Sequence, residues 1–270
     1  MQTNVAILIP AYEPDEKLVE LITRLRRDFA HLVVVDDGSV TEGARKVFER
    51  IRGDVDVLLV HKVNRGKGVA LRTGIAWIRD HLPAVCAVVT ADSDGQHASK
   101  DIVRVAEAAV GHPDGLVLGV REFTGTVPFR SRLGNMWTRI LFWLLTGLPV
   151  RDTQTGLRAI PRGLFDRMLM IVGDRYEYEI RMLVDARHHA AKPLQLTIET
   201  IYINDNRASH FHPFRDAVLT QWALCSARFL GLGLPKNTGA GHSVTGRSGT
   251  RTVHCRSRRD RPPEGEEVRE

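Results

Sequence analysis

Residues 84–94 read AVCAVVTADSD, a run of eight almost wholly apolar positions that ends on Asp92-Ser93-Asp94. A Val-rich run of this length, bounded by Pro83 and Asp92, predicts a strand buried on both faces, as in a parallel sheet. In open α/β sheets, ligands sit just beyond the carboxyl ends of such strands. Two carboxylates one residue apart at that place suit a hard divalent cation held against a diphosphate. An Asp-x-Asp triplet alone occurs by chance about once in a chain this long. Its position directly after the strand is what makes it informative.

Working outward, the first 120 residues alternate strand and helix. Strands are expected at Val5–Pro10, Leu32–Val35, Val55–Val60 and Gly115–Val120, besides the one before Asp92. Helices are expected at Asp15–Ala30, Glu42–Arg52, Gly66–Asp80 and Ser99–Gly111, the first spaced through Leu18, Leu21, Ile22 and Leu25. This rhythm predicts an α/β fold: a doubly wound, mostly parallel sheet with helices on both faces. After Arg121 the rhythm breaks. Arg132–Leu148 reads as a helix loaded with large apolar residues, Arg162–Ile171 and Glu177–Ala191 as helices, and Leu194–Ile203 as a β segment. Phe214–Leu230 reads as a final amphipathic helix. From Gly231 the composition turns to Gly, Ser, Thr, Arg and Pro without apolar periodicity, so residues 231–270 are expected to be a disordered basic tail after a domain spanning 1–230.

The bulk numbers narrow the partners. A hydrophobic content of 43% supports a sizeable core. Of the net charge of +6, half lies in residues 232–270, with eight Lys/Arg against five Asp/Glu. The rest gathers around Arg121, Arg130, Arg132 and Arg139, too locally for a nucleic-acid stripe. Cys86, Cys225 and Cys255 are odd in number and scattered, which implies neither a disulfide framework nor a zinc site and points to a reducing compartment. The start of the chain enters a strand with no basic segment ahead of it, against a secretory signal. The longest charge-free stretches, Ile140–Val150 and Ala217–Ala227, have 11 residues each, too few to span a bilayer. Contact with a membrane is therefore expected to be peripheral.

Polar residues follow each strand of the first half. Tyr12 and Glu13 follow the first, Asp36 and Asp37 the second, and Asn64-Arg65-Gly66-Lys67-Gly68 the third. The topology gathers these ends into one crevice, where an aromatic ring and carboxylates suit a nucleoside. A turn and helix cap is the alternative reading of Asp37-Gly38-Ser39. Gly66-Lys67-Gly68 lacks the Walker spacing, and no G-x-G-x-x-G follows the first strand, which weakens ATPase and NAD-enzyme readings. In the second half, Arg121, Arg130 and Arg132 surround a Pro-containing loop ahead of the apolar helix. Guanidiniums beside an apolar surface suit a phosphate head on a hydrophobic tail, although surface arginines flanking a core helix look the same. Asp152 and Arg158 bracket Gln154-Thr155-Gly156. A carboxylate there suits a catalytic base or a group that orients the acceptor. An acceptor phosphate, already ionised, needs little deprotonation, and Asp152 would then only position it.

Ile9-Pro10-Ala11-Tyr12, Val35-Asp36-Asp37-Gly38-Ser39, Asn64-Arg65-Gly66-Lys67-Gly68, Asp92-Ser93-Asp94-Gly95-Gln96-His97 and Asp152-Thr153-Gln154-Thr155-Gly156-Leu157-Arg158 occur in that order. Together they resemble family 2 glycosyltransferases of the GT-A fold, in the branch of the dolichyl- and polyprenyl-phosphate enzymes, over roughly residues 4–230. The resemblance implies a nucleotide-sugar donor (UDP or GDP), a polyprenyl phosphate acceptor, Mg²⁺ or Mn²⁺, and a place on the cytoplasmic face of the membrane. It implies that Pro10, Tyr12, Glu13, Asp37 and Lys67 meet the donor, and that Asp92, Asp94 and Gln96 meet the metal or ribose. Arg121, Arg130 and Arg132 would take the acceptor phosphate or donor diphosphate, with Asp152 and Arg158 as the catalytic pair. The halves 1–120 and 121–230 would serve donor and acceptor respectively. Many relatives read Tyr-Asn-Glu after the first strand, whereas here Tyr12-Glu13-Pro14 moves the carboxylate by one position. Rival readings are a hydroxyl acceptor on a polysaccharide, protein or small molecule, a nucleotidyltransferase, and a non-catalytic nucleotide-sugar-binding protein.

Overall fold

The computed structural model describes residues 2–121, 142–144, 146–147, 149–189, 191–199 and 201. Its strands are β1 (Gln2–Ala11), β2 (Phe29–Asp36), β3 (Val57–Val60), β4 (Ala87–Thr90), β5 (Gly115–Arg121), β6 (Arg158–Pro161) and β7 (Ala191–Ile198). The helices are α1 (Glu16–Leu25), α2 (Glu42–Ile51), α3 (Lys67–His81), α4 (Ser99–Val110), α5 (Phe165–Met170) and α6 (Glu177–His189).

Local chemistry sets the helix starts. The Asp15 carboxylate accepts the Lys17 N–H at 3.0 Å and begins α1, which buries Leu18, Leu21, Ile22 and Leu25 as one stripe. Thr41 Oγ1 accepts the Ala44 N–H and begins α2. Helix α3 has no side-chain cap. Its Gly68 and Val69 N–H groups instead donate to the carbonyl of Asp174, at 2.8 and 3.3 Å.

Alternation along β1 divides the core in two. Val5, Ile7 and Ile9 pack with Leu18, Ile22, Phe48 and Ile102 on one face, while Ala6 and Leu8 pack with Leu71, Ile75, Phe165 and Leu183 on the other. Helices cover both faces, which is why the strands read as unbroken apolar runs.

The seven strands form one sheet in the order β3-β2-β1-β4-β6-β5-β7. The pairs β1–β2, β2–β3, β1–β4 and β5–β7 are parallel, and β6 runs antiparallel to both its neighbours. The chain builds outward from β1 to β3 and then crosses back to place β4 on the other side of β1. The order therefore reverses between β1 and β4, and the crevice opens there, at their carboxyl ends.

The mostly parallel sheet agrees with the sequence, and the second half departs from it in detail. Strand β6 was not expected; at four residues starting with Arg it is too short for periodicity to mark. The helix expected from Arg162 begins with a single 3-10 turn, Arg162–Leu164, and β7 starts at Ala191 rather than Leu194. Cys225 and Cys255 lie outside the described residues. Residues 132–141 of the expected apolar helix lie outside the described residues, as do Arg130, residues 202–230 with the final helix, and the 231–270 tail. Residues 142–144 are helical, with Phe142 buried in the core. Among the described residues, no helix is long and apolar enough to cross a membrane.

Helix α3 lies close on β1 because Gly74 has no side chain; a Cβ there would overlap the Leu8 side chain. Gly74→Val should lower the unfolding free energy by about 1–3 kcal/mol. A lower urea midpoint at unchanged slope would show it.

Candidate active site

Asp92 stands just past the end of β4, facing the crevice. Its Oδ1 lies 2.7 Å from Lys67 Nζ, at the first turn of α3, and its Oδ2 lies 3.3 Å from His97 Nε2. Lys67 also reaches Glu179 Oε2 on α6 at 3.1 Å, and its ammonium sits 6.0 Å from the centre of the Tyr176 ring. Burial works against charge on both partners. On Lys67, Asp92 and then Glu179 outweigh that burial and hold the ammonium above the ordinary lysine range. On Asp92, Lys67 and then His97 outweigh it and hold the carboxyl well below the ordinary range.

Asp94 is different. Its Oδ1 accepts the Gln96 N–H at 3.0 Å in a tight local turn, and Oδ2 has no partner among the described residues. Burial and then the neighbouring Asp92 charge push its carboxyl upward. A divalent cation between the two carboxylates would relieve this repulsion, and the donors are the hard oxygens that Mg²⁺ and Mn²⁺ take. No group of three or more His, Cys, Asp or Glu side chains forms a ready metal cage among the described residues. Mg²⁺ commonly takes only one or two carboxylates and completes its shell with substrate phosphates. On these observations Asp92 and Asp94 fit the cation that the resemblance implied, while Gln96 offers its backbone N–H to Asp94.

The loop 152–157 is brought to Asp92 by β6. Thr90 pairs with Arg158 in the β4–β6 register, and Thr90 Oγ1 donates to the Gly156 carbonyl at 2.8 Å. Gly156 then presses on Asp92: an added Cβ would come within 2.6 Å of both its Cγ and Oδ1. A side chain at Gly156 would thus have to move the Asp92 carboxylate.

The two residues expected to form the catalytic pair are both enclosed. Asp152 is 0% exposed and takes a bidentate bond from Arg121, Nε to Oδ2 at 2.7 Å and Nη2 to Oδ1 at 3.2 Å. Arg158 is 1% exposed and donates to three backbone carbonyls: Thr155 at 2.8 Å, Glu179 at 2.6 Å and Thr153 at 3.1 Å. Arg121, expected to meet a phosphate, spends its fork on Asp152. Arg130 and Arg132 lie outside the described residues.

On the donor side, Asp37 is buried and acts as a clamp. It accepts the N–H groups of Arg65 and Gly66 at 2.9 and 2.7 Å, and its Oδ1 lies 2.7 Å from His61 Nδ1. His61 Nε2 continues to Thr73 Oγ1 at 3.0 Å. Glu13 sits in a left-handed backbone conformation, φ 50°, with its carboxylate bonded to Thr41 Oγ1 and accepting the Val40 N–H at 2.7 Å. That shifted carboxylate serves the start of α2. Pro10 is buried in register with Val35, and Tyr12 is half-buried at the rim.

Asp92, Lys67, His97 and Glu179 are thus brought together, with Asp94 two residues on from Asp92 and Tyr12 just past β1, whereas Asp37, Glu13, Asp152 and Arg158 are bonded into the surrounding loops. Sequence reading gave no role to His97, His61 or Glu179. His97 closes a motif already quoted, but Glu179 lies at a helix start where a carboxylate has an ordinary explanation. Asp152→Asn should cost about 1–3 kcal/mol, since it turns one acceptor of that buried bidentate bond into a donor facing the guanidinium. Chemical unfolding of purified protein would measure that loss.

Residues 6–169 match the family described as "Glycosyl transferase family 2". A UDP-N-acetylglucosamine–dolichyl-phosphate N-acetylglucosaminyltransferase of Methanococcus voltae is 27% identical over 217 residues, covering 73% of this chain and 85% of that protein. A polyprenol monophosphomannose synthase of Mycolicibacterium smegmatis is 29% identical over 184 residues, covering 64% and 67%. In fold, the chain is similar to glucosyl-3-phosphoglycerate synthase from Mycobacterium tuberculosis, solved with Mn²⁺, UDP and product. The TM-score is 0.62 at 20% identity, over 87% of this chain and 81% of that one. Because the matched segment runs from β1 into α5 and takes in both Asp92-Ser93-Asp94 and the 152–158 loop, the chain belongs to glycosyl transferase family 2 and is a glycosyltransferase of the GT-A fold.

Proposed function

We propose that this glycosyltransferase moves a hexose from a UDP- or GDP-sugar to a polyprenyl phosphate, with inversion, at the cytoplasmic face of a membrane. The observation that carries the acceptor class is the enclosure of Asp152. A hydroxyl acceptor needs a base that can reach it, and the carboxylate best placed by sequence is buried and doubly bonded to Arg121. A phosphate acceptor arrives ionised and needs none. The named relatives that act on dolichyl phosphate and polyprenol support the same choice.

In this reading a phosphate oxygen of the acceptor attacks the anomeric carbon in line. A new C–O bond forms as the bond to the nucleoside diphosphate breaks, and the diphosphate leaves with the electron pair. Asp94 and the outward side of Asp92 would hold Mg²⁺ or Mn²⁺, which when bound neutralises charge growing on the leaving group. Tyr12 lies at the rim where a base would stack. Asp37, by fixing the 61–66 loop, sets the wall on which the nucleoside rests. Lys67 supplies a positive charge at the first turn of α3. The helix amides themselves are not available to a phosphate, because the Asp174 carbonyl takes those of Gly68 and Val69. Arg158 and Asp152 act by position, holding Gly156 and hence Asp92 in place.

The test is transfer of labelled sugar from UDP-glucose and from GDP-mannose to undecaprenyl phosphate with Mg²⁺, scored as solvent-extractable label. Label in the lipid phase is expected with one donor, abolished by EDTA and lowered about 100-fold or more in Asp94→Ala. Gly156→Ala, which displaces Asp92 without removing a polar group, should lower it by about 10–100-fold. Metal-dependent release of nucleoside diphosphate without lipid product would rule out the polyprenyl acceptor and leave a hydroxyl acceptor instead.

A further inference from the structure

Lys67 is shared by two carboxylates whose situations differ. Asp92 is 28% exposed in its side chain and keeps a second contact, to His97, if Lys67 departs. The Glu179 side chain is 8% exposed, and Lys67 is its one side-chain partner among the described residues. If Lys67 left Glu179, that carboxylate would stay buried with no side-chain ion pair, its remaining positive neighbour being Arg158, whose guanidinium is already committed to three backbone carbonyls. If it left Asp92, that carboxylate could turn to water or to a cation. Of the two bonds, the one to Glu179 is therefore the one that persists.

The position of Glu179 is itself fixed. Its carbonyl accepts from Arg158 Nη1 at 2.6 Å, and the start of α6 is docked on α3 through the Asp174 carbonyl. Gly68 permits that docking, since a Cβ would fall 2.7 Å from Tyr178 Cβ. Glu179 thus stands on a rigid support, one Lys67 side chain away from the carboxylate expected to meet the metal. Lys67 and a divalent cation are competing counterions for Asp92 Oδ1.

We propose that Glu179 is a positioning residue that tethers Lys67 while its bond to Asp92 is given up to an arriving divalent cation, so that the ammonium turns to the donor diphosphate. This rests on the metal and nucleotide-sugar reading above. It assigns Glu179 neither base nor nucleophile chemistry. Without its negative charge, Lys67 would commit wholly to Asp92 and oppose the cation.

The experiment measures Mn²⁺ binding to the full chain without nucleotide, by paramagnetic resonance of free Mn²⁺, and then UDP and GDP binding by calorimetry at saturating Mn²⁺. Glu179→Gln should weaken Mn²⁺ by about tenfold or more, the usual scale for losing a group behind a metal ligand. It should also weaken the nucleotide that wild type prefers. Glu179→Asp, which keeps the charge, should restore most of the Mn²⁺ affinity. Adding Lys67→Met to Glu179→Gln should recover Mn²⁺ binding, because the competitor is gone. A misfolded Glu179→Gln protein would not recover in this way, and failure to recover overturns the tether. Unchanged Mn²⁺ and nucleotide binding in Glu179→Gln, even with turnover lost, overturns it too and makes Glu179 a reacting group. Wild type that binds neither Mn²⁺ nor UDP nor GDP overturns the donor reading and the tether with it.

Discussion

The antiparallel pairing of β6 with β4 joins the two halves of the chain at the register of Thr90 and Arg158, and the crevice takes its shape from that pairing. Because β6 runs against β4, the residues just before it lie beside those just after β4. Gly156 meets Asp92 for this reason, and Thr90 can bond the Gly156 carbonyl. A slip of one residue would turn the Arg158 side chain to the opposite face and detach three carbonyls from it. The enclosed guanidinium and the acidic crevice are thus two consequences of one register.

Charge around the crevice is arranged in closed sets with one opening. Asp152 and Arg121 satisfy each other, Asp37 is taken up by the 61–66 loop, and Glu179 and Asp92 divide Lys67. Asp94 carries an oxygen with no hydrogen bond among the described residues, beside a second carboxylate, its other oxygen accepting only the Gln96 N–H. Such an imbalance suits a site whose neutrality is completed by what it binds. Interior pairs with full hydrogen bonding also hold the surrounding loops at fixed distances, which a reaction in which position supplies much of the acceleration requires.

The first half was legible because each of its strands is buried on both faces and each helix carries one apolar stripe, so period alone reveals them. The strand-end motifs were legible as positions at the sheet's carboxyl edge, but not in what they do there: Asp37 and Glu13 are both taken up by neighbouring loop amides. Strand β6 was hidden by its length and by an Arg at its first position, a residue type that reads as surface. For the same reason the enclosure of Asp152 and Arg158 could not be read from the sequence. Sequence shows that a charge is present, but not that its partner is a backbone carbonyl or a distant Arg121. The shared hold on Lys67 was likewise beyond reach, since Asp92 and Glu179 are 87 positions apart in the chain.

The placement of β6 also orders events during synthesis. When β5 has left the ribosome, β4 and β5 are both complete, yet they do not pair with each other. Each keeps a bare row of amide and carbonyl groups on its inner side until residues 158–161 arrive to fill the gap. For that interval the nascent chain carries two apolar strands with open edges, the arrangement most prone to cross-chain pairing. Exposure of these edges should therefore be greatest between the emergence of β5 and that of β6, and the outer edge of β5 stays open until β7 follows.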